Sequence, residues 1–422
     1  MLDILPADQP YWQNMRGVAA NVARRFGCAL IETPVLEPTG LFERTAGETS
    51  DIVTKEMYTF RDRGDRSLTL RPEWTAPVVR AYFDGGLDQE PQPVRLYYVG
   101  PVFRYGRPQA GRYRQHTQFG VEAIGEDSPW IDVEVITMGW RWYDLLRVMG
   151  VSLQLNSIGD EVCRPAYREL LRAYYRPYLD RLGDEDRIRF ERNPLRLLDS
   201  KEPRSEQLKA GAPRILDHLC EPCRIALEGV RDGLRKEGIP HTINAQLVRG
   251  LDYYTRTVFE YWHESLGGAQ NALGAGGRYD GLAAVLGYKP TPGVGFALGL
   301  ERTMDILKKQ NPEETRGPDV YAVSVEAPAH PHVLRLAADL RARGFQVVVD
   351  HGDARLETKL RKASRREART VLIVGAEEDV DGRAVVRDMR RQTQVTVADR
   401  YIPDAVRKVF AADSGPGPTI RD

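Results

Sequence analysis

The sequence predicts an α+β main domain that carries a helical insertion, followed by a smaller α/β domain. From Ser67 to Gly125 strand-like runs alternate with turns, and strands return at "TINAQLVRG" and "TVFEYWHE". Between them, from about residue 160 to 238, charged helical patterns such as "EVCRPAYRELLRAYYRPYLDRLG" and "EQLKAGAPRILDHL" follow one another without a clear strand. Beyond the Pro/Gly/charged linker "KKQNPEETRGPD" the texture changes again, to short apolar runs alternating with helical ones. The boundaries read as 1–310 for the main domain and 319–410 for the second, with 411–422 a tail expected to be disordered.

The elements follow in order. "DQPYWQNMRGVAANVARRFG" is an amphipathic helix closed by Gly27, and "ALIETPVLEP" is a strand. "SPWIDVEVITMGWRWYDLLRVMG" is a long helix with a glycine stop. In "TVFEYW", Val258 and Glu260 share one face while Thr257, Phe259 and Tyr261 share the other, as a half-buried strand requires. The second domain reads strand, helix, strand, helix, strand, strand through "VYAVSV", "VLRLAADLRARG", "QVVVD", "LETKLRKASRREA", "TVLIVGAEE" and "RAVVRDM". There is no internal repeat.

Composition bounds the function. The 422 residues are 42% hydrophobic and 28% charged, the profile of a soluble globular protein rather than a membrane or disordered one. Formal net charge is zero, so any nucleic-acid surface must be local. No apolar run is long enough to span a bilayer, and the N-terminus lacks the pattern of a signal peptide. The cysteines, Cys28, Cys163, Cys220 and Cys223, form no disulfide framework for a chain of this size, which points to a reducing cytoplasm.

Polar residues concentrate in "RLYYVGPVFRYGRPQAGRYRQHTQFGVEAIG", where two alternating strands flank a loop rich in glycine and arginine. His116, Gln118, Gly120 and Glu122 share one strand face; Thr117, Phe119, Val121 and Ala123 share the other. Arg104 ends the first strand, and Arg107, Arg112 and Arg114 come from the loop, a set of forked donors suited to phosphate or carboxylate. A surface hairpin with solvated charges is the bland alternative. Glu73 and Thr75 precede a helical run, placed to hold an ammonium group. "TPGVGFALGLERTMDIL" is a glycine-spaced apolar segment entering a helix whose first turn carries Glu301 and Arg302, and its small residues would let a ligand lie against backbone.

At these residues the chain resembles the class II aminoacyl-tRNA synthetases, and among them the histidyl enzymes. "ALIETPVLEP", with Pro34, resembles the first class II motif, the arginine-rich hairpin the second and "GVGFALGLERTMDIL" the third; "RGLDYYTRTVFE" and "GAGGRYDGL" resemble the two histidyl signatures. The resemblance implies a catalytic domain on a mixed, mainly antiparallel sheet, an anticodon-binding C-terminal domain, and a homodimer built on the first motif. It implies ATP with Mg²⁺, L-histidine and tRNA(His) as reactants. The implied catalytic residues are Arg249 and Arg104. ATP would meet Arg104, Arg112, His116 and Arg302. Histidine would meet Glu73, Thr75, Gln118, Glu122, Arg249, Tyr253, Tyr254 and Tyr279. The tRNA would meet Gln109 and Arg114, and the basic helix with Lys359, Arg361, Lys362, Arg365 and Arg366. The chain departs from the family pattern at Gly106, where a glutamate is usual, at His116, where an aromatic is usual, and at Trp74, where glycine is usual.

Cys220-Glu-Pro-Cys223 is a lone C-x-x-C, two ligands short of a structural zinc site unless Cys163 and His218 complete it; ordinary thiols are the expectation and zinc is disfavoured. Two other classes compete with a ligase. A regulatory subunit of ATP phosphoribosyltransferase shares the catalytic fold but typically lacks the C-terminal domain. A stand-alone RNA-binding protein leaves Arg104, Arg249 and Arg302 unexplained.

Overall fold

Glycine ends the first helix as its conformational freedom allows: α1 (Gln9–Arg25) stops two residues before Gly27, which takes a φ of 72°. The computed structural model describes residues 2–46, 52–106, 113–200, 202–266, 271–312 and 317–411. The chain divides into two compact units, 1–313 and 314–422.

"ALIETPVLEP" forms two short strands in different sheets rather than one, β1 (Ala29–Leu30) and β2 (Leu36–Pro38). Pro34 has no N–H for a ladder, and Arg71 Nη1 takes the carbonyl of Thr33 at 2.7 Å, so the chain leaves the large sheet there. Helix α2 (Thr39–Ala46) follows, then the hairpin β3 (Tyr58–Arg61) and β4 (Ser67–Leu70), which with β2 makes a three-stranded antiparallel sheet. After α3 (Thr75–Asp84) come the long strands β5 (Val94–Phe103) and β6 (Gln115–Ile124), then α4 (Pro129–Leu145), whose N-cap Ser128 accepts from Trp130 N–H at 3.3 Å.

Strand β7 (Val151–Ser157) leads into the insertion: α5 (Arg164–Tyr175), α6 (Asp184–Arg192) and α7 (Pro203–Lys209), joined by 3₁₀ turns. These have their own core of Tyr167, Leu171, Tyr175, Phe190, Leu197 and Ile215. The next helix, α8 (Glu221–Lys236), instead buries Leu227, Val230 and Leu234 in the main core with α4. "TINAQLVRG" pairs only as β8 (His241–Ile243): Asn244 Oδ1 accepts from Gln246 N–H at 3.1 Å and turns the chain off the sheet. Then come β9 (Thr255–His263), β10 (Ala272–Arg278), the single-turn α9 (Leu282–Val285), β11 (Gly293–Gly299) and α10 (Leu300–Gln310). α10 carries Lys308 and Lys309, so the linker starts later than its composition indicated.

The large sheet has eight strands in the order β1-β5-β6-β11-β10-β9-β7-β8, antiparallel except for its β1/β5 and β7/β8 edges. One face meets α1, α4, α8 and α10 through Met15, Val22, Phe119, Val121, Trp142, Leu234 and Met304. The other carries an aromatic cluster of Trp74, Tyr98, Tyr253, Tyr254 and Tyr279. Strand β9 is therefore covered on both sides, not half-buried: Phe259 and Tyr261 join the first core, Val258 the second. The second unit is a five-stranded sheet, in order β12 (Val320–Ser324) flanked by β13 (Val347–Asp350) and β14 (Thr370–Val374), then β15 (Arg383–Asp388) and the exposed β16 (Thr393–Ala398). Its helices are α11 (His330–Ala342), α12 (Leu356–Arg365), α13 (Ala376–Asp381) and α14 (Ile402–Ala411). The expected tail, from residue 412 onward, lies outside the described residues.

Candidate active site

Alternation on β6 sends Phe119, Val121 and Ala123 into the helical core, so His116, Gln118 and Glu122 must face the other way. His116 and Gln118 line a cavity of about 1010 Å³; Glu122, 1% exposed, does not line it but lies behind Thr75, Tyr98 and Tyr279 of its wall. The neighbouring strand makes room for them. Gly295 pairs with Glu122 and Gly299 with Gln118, and a Cβ on Gly295 would overlap Glu122 Oε2. Gly295, Ala297 and Gly299 all line the cavity, so the small-residue spacing of β11 is a requirement of space as well as of packing.

Glu122 is held by hydroxyls from three elements. Its Oε1 accepts from Thr75 Oγ1 at 2.8 Å and from Tyr98 at 3.1 Å, and its Oε2 accepts from Tyr279 at 2.6 Å. Burial pushes its pKa up to about 8, against the pull of those hydrogen bonds. Glu73 spends its carboxylate on the first turn of α3, accepting from Thr75 N–H at 2.6 Å and Ala76 N–H at 3.0 Å; burial raises its pKa, opposed by these donors and by Arg104. Tyr253 and Tyr254 stand with ring centroids 4.7 Å apart, and Tyr253 meets Tyr279 edge-on at 6.1 Å. Gln118 Oε1 is buried and has no hydrogen-bond partner among the described residues.

Arginines occupy the rest of the wall. Arg104 donates from Nε to the Pro72 carbonyl at 2.7 Å; burial lowers its pKa, while Glu56 and Glu73 oppose the loss of charge. Arg302, in the first turn of α10, donates to the Ala272 carbonyl at 2.7 Å. Arg249 donates to Glu260 and sits 5.6 Å from the Tyr254 ring centroid. Burial works against the Arg249 charge, and Glu260 with the two phenols outweighs it, so its pKa is raised. His116 is pushed down to about 3 by burial and by Arg104, which leaves a neutral ring against the cavity.

The cavity thus brings together Glu73, Thr75, Arg104, His116, Gln118, Arg249, Tyr253, Tyr254, Tyr279 and Arg302, while Glu122 sits one layer behind, bonded to Thr75, Tyr98 and Tyr279. Gln109 and Arg112 lie outside the described residues. Arg114 packs its guanidinium 4.1 Å from the centroid of the Tyr105 ring. Sequence reasoning missed Glu260, Tyr98 and the insertion residues Asp199, Glu202 and Lys209, which line the same cavity. Glu260 had a signal, since it shares the face of Val258 as the one carboxylate in an apolar and aromatic run, "VFEYW". Trp74 fills the space that a glycine would leave, stacked on Tyr98 at 4.4 Å with the Arg71 guanidinium 3.3 Å from its ring centroid. A Cβ on Gly100 would strike that indole.

In the second unit the basic helix needs one correction. Lys359 is 3% exposed and donates to the Ser324 carbonyl at 2.8 Å, so its ammonium is a structural donor that no RNA phosphate can reach. Lys362 pairs with Asp350 at 3.1 Å; Arg361, Arg365 and Arg366 are exposed. The C-x-x-C gains two neighbours, Cys163 and Asp160. His218 stacks instead on Tyr167, with centroids 6.2 Å apart.

A mixed sheet with an antiparallel centre, an arginine-flanked hairpin on its floor and a glycine-spaced strand entering a Glu-Arg helix start is the catalytic architecture of class II aminoacyl-tRNA synthetases. The model for histidyl-tRNA synthetase matches residues 1–303, and that for an anticodon binding domain matches residues 319–409. The chain belongs to the histidyl-tRNA synthetase family. It is 46% identical over 397 residues to the histidine–tRNA ligase of Dehalococcoides mccartyi, covering 94% of this chain and 95% of that one. Over 409 residues it is 46% identical to the histidine–tRNA ligase of Moorella thermoacetica, covering 96% of each. The crystal structure of apo S. aureus histidyl-tRNA synthetase superposes with a TM-score of 0.80 at 33% identity, covering 96% of this chain and 98% of that one.

Proposed function

We infer that this protein is a histidine–tRNA ligase, which activates L-histidine with ATP and transfers it to the 3′ end of tRNA(His). One observation carries the residue assignments: acceptors suited to histidine and guanidinium groups suited to phosphate share a single cavity.

The imidazole sits between Glu122 and Tyr254. Once ionised, a carboxylate has about four acceptor positions; Glu122 uses three of them on hydroxyls, so an imidazole N–H can take the fourth and favour the ionised form that burial alone disfavours. The α-ammonium meets the unpartnered Gln118 Oε1, with Glu73 and Thr75 beside it, and Tyr253 and Tyr279 form the walls. Arg104, Arg302 and the loop residue Arg112 hold the triphosphate, with the neutral His116 ring against adenine. A histidine carboxylate oxygen attacks the α-phosphorus, and the bond to pyrophosphate breaks. Arg249 faces the charge that develops there. The terminal ribose hydroxyl of the tRNA then attacks the histidyl carbonyl carbon and AMP leaves. No protein nucleophile is needed, because positioning and fixed charge supply the catalysis.

Mg²⁺ fits the donor set. Glu301 lines the cavity with its Oε2 buried and unpartnered among the described residues, Glu56 lines it too, and carboxylate oxygens with phosphate oxygens are what this ion takes. It would neutralise phosphate charge; the guanidinium groups orient the same phosphates.

Gln109 and Arg114 meet the acceptor end of the tRNA, while Arg361, Arg365 and Arg366 meet phosphates near the anticodon. Leu30, Val35 and Leu36, apolar yet 58%, 37% and 41% exposed, support a homodimer through the first motif. Among the described residues no helix is long and apolar enough to cross a membrane, and we place the reaction in the cytoplasm. The decisive experiment is ATP–pyrophosphate exchange with each amino acid in turn, followed by charging of tRNA(His). Exchange and charging should require histidine; a folded protein that exchanges equally with other amino acids, or not at all, overturns the reading.

A further inference from the structure

The base of the helical insertion holds a second cluster that the ligase reaction does not use. After β7, Gly159 takes a φ of 67° and the chain doubles back through "GDEVC". Asp160 Oδ1 accepts from Val162 N–H at 3.0 Å and Cys163 N–H at 3.3 Å, while Asp160 N–H points at Cys163 Sγ at 3.4 Å. Opposite this loop, Cys220 directly precedes α8 and Cys223 lies buried in its first turn. Cys163 Sγ and Cys223 Sγ are 3.9 Å apart, and Cys220 Sγ lies 3.5 and 3.7 Å from the two carboxylate oxygens of Asp160. The four ligand atoms all fall within 4.8 Å of one another.

We propose that Asp160, Cys163, Cys220 and Cys223 form a tetrahedral structural zinc site that fastens the helical insertion to the histidine pocket. The dimensions suit this ion. A Zn–S bond of about 2.3 Å puts two thiolates of a tetrahedron roughly 3.8 Å apart, beside the 3.9 Å found between Cys163 and Cys223. Three sulfurs and one carboxylate oxygen are a soft, closed set with no position for water, as a structural rather than catalytic site requires. The surroundings balance the charge. Cys220 and Cys223 sit at the positive end of the sixteen-residue helix α8, and Arg256 Nε is 4.0 Å from Asp160 Oδ2. That Nε is buried without a hydrogen-bond partner among the described residues.

The same loop is bonded to the tyrosine-bearing strand. Ile158 N–H donates to the Arg256 carbonyl and Arg256 N–H to the Gly159 carbonyl, each at 2.8 Å. Arg164, next to Cys163, donates to both the Gly159 and Tyr254 carbonyls at 2.8 Å. Zinc would therefore brace α8, the start of the insertion and the backbone of Tyr254 as one unit.

The test uses the full-length chain purified without chelator. Metal analysis should find about one zinc per chain. Cobalt(II) added to the chelator-stripped protein should give a thiolate charge-transfer band and the intense visible bands of a tetrahedral ion. Cys220→Ser, a half-buried position least harmful to folding, should weaken zinc binding more than about tenfold, and Asp160→Asn should shift the cobalt spectrum. Stripped wild-type protein should also melt earlier and recover on adding zinc alone. A chain purified from zinc-supplied medium that holds no zinc and gives no cobalt–thiolate band overturns the proposal. So does an intact mass two hydrogens short, with Cys163 linked to Cys223, which would identify a redox pair instead.

Discussion

Arg249 and Glu260 form an ion pair at the edge of the cavity, and the second oxygen of Glu260 accepts from Trp262 Nε1 at 2.6 Å. The charge in "RGLDYY" thus has a structural partner that the sequence alone did not reveal, and substitution there has two consequences. Arg249→Ala should lower pyrophosphate exchange about a hundred- to a thousandfold, the usual loss for one fixed charge-stabilising donor. It should also lower the melting temperature, because a largely buried carboxylate is left unpaired. Adding Glu260→Gln should restore the melting temperature without restoring exchange. Recovery of exchange in the double variant would mean that Arg249 serves Glu260 and not the phosphate.

Glu122 gives a prediction in pH. Burial raises its pKa from the ordinary 4.5 to about 8, so folding favours the protonated form. That contribution is fully present below the unfolded value and is lost as pH rises through about 8. The melting temperature of Glu122→Gln should therefore gain on that of the wild type between pH 6 and 9, and a constant difference across that range would contradict the shift. In catalysis, Glu122→Ala should raise the KM for histidine at least about tenfold, with less effect on ATP, since a charge-assisted hydrogen bond contributes roughly 1.5–3 kcal/mol. Equal, small changes in both would remove Glu122 from the histidine site.

What the sequence made legible was periodic. The alternation of β6 separated Phe119, Val121 and Ala123 from His116, Gln118 and Glu122, and the glycine spacing of β11 located the strand opposite. What it concealed depended on partners brought together by turns. Glu260 faces Arg249 eleven residues earlier because the chain reverses between them. Asp160 is an ordinary acidic residue sixty positions from Cys220 until β7 and α8 set them side by side. Lys359 reads as one cation among many, yet it falls on the helix side that buries Ala363 and so ends inside. The edge strand β16 was hidden for the opposite reason: most of it is exposed and carries little apolar pattern.

His116 tests the adenine contact. With its pKa pushed down to about 3 by burial and Arg104, the ring is neutral at working pH and acts as a flat aromatic surface. His116→Phe should leave the KM for ATP within about threefold, since a neutral ring stacks without needing charge. His116→Ala should raise it by about tenfold, because stacking a base on an aromatic contributes roughly 1–3 kcal/mol. If Phe is as damaging as Ala, the ring nitrogens matter and stacking is the wrong account.

Removing the second unit should separate the two steps of the reaction, provided the cut respects α10. That helix runs to Gln310, and the Asn311 carbonyl accepts from Tyr11 of α1 at 3.1 Å, so a fragment ending at Lys309 would unpick its own core. Ending at Glu313 keeps the whole first unit and every residue assigned to ATP and histidine. It discards Arg361, Arg365 and Arg366, the exposed cations assigned to the anticodon end. Phosphate contacts dominate nucleic-acid affinity and weaken steeply with salt. The fragment should therefore retain histidine-dependent exchange while charging of tRNA(His) falls sharply, and its tRNA affinity should depend less steeply on salt than that of the whole chain. Light scattering and melting curves must first show the fragment folded and in the same oligomeric state as the whole chain. Charging at the full-length rate by such a fragment, at physiological salt, would mean that the second unit does not anchor the tRNA.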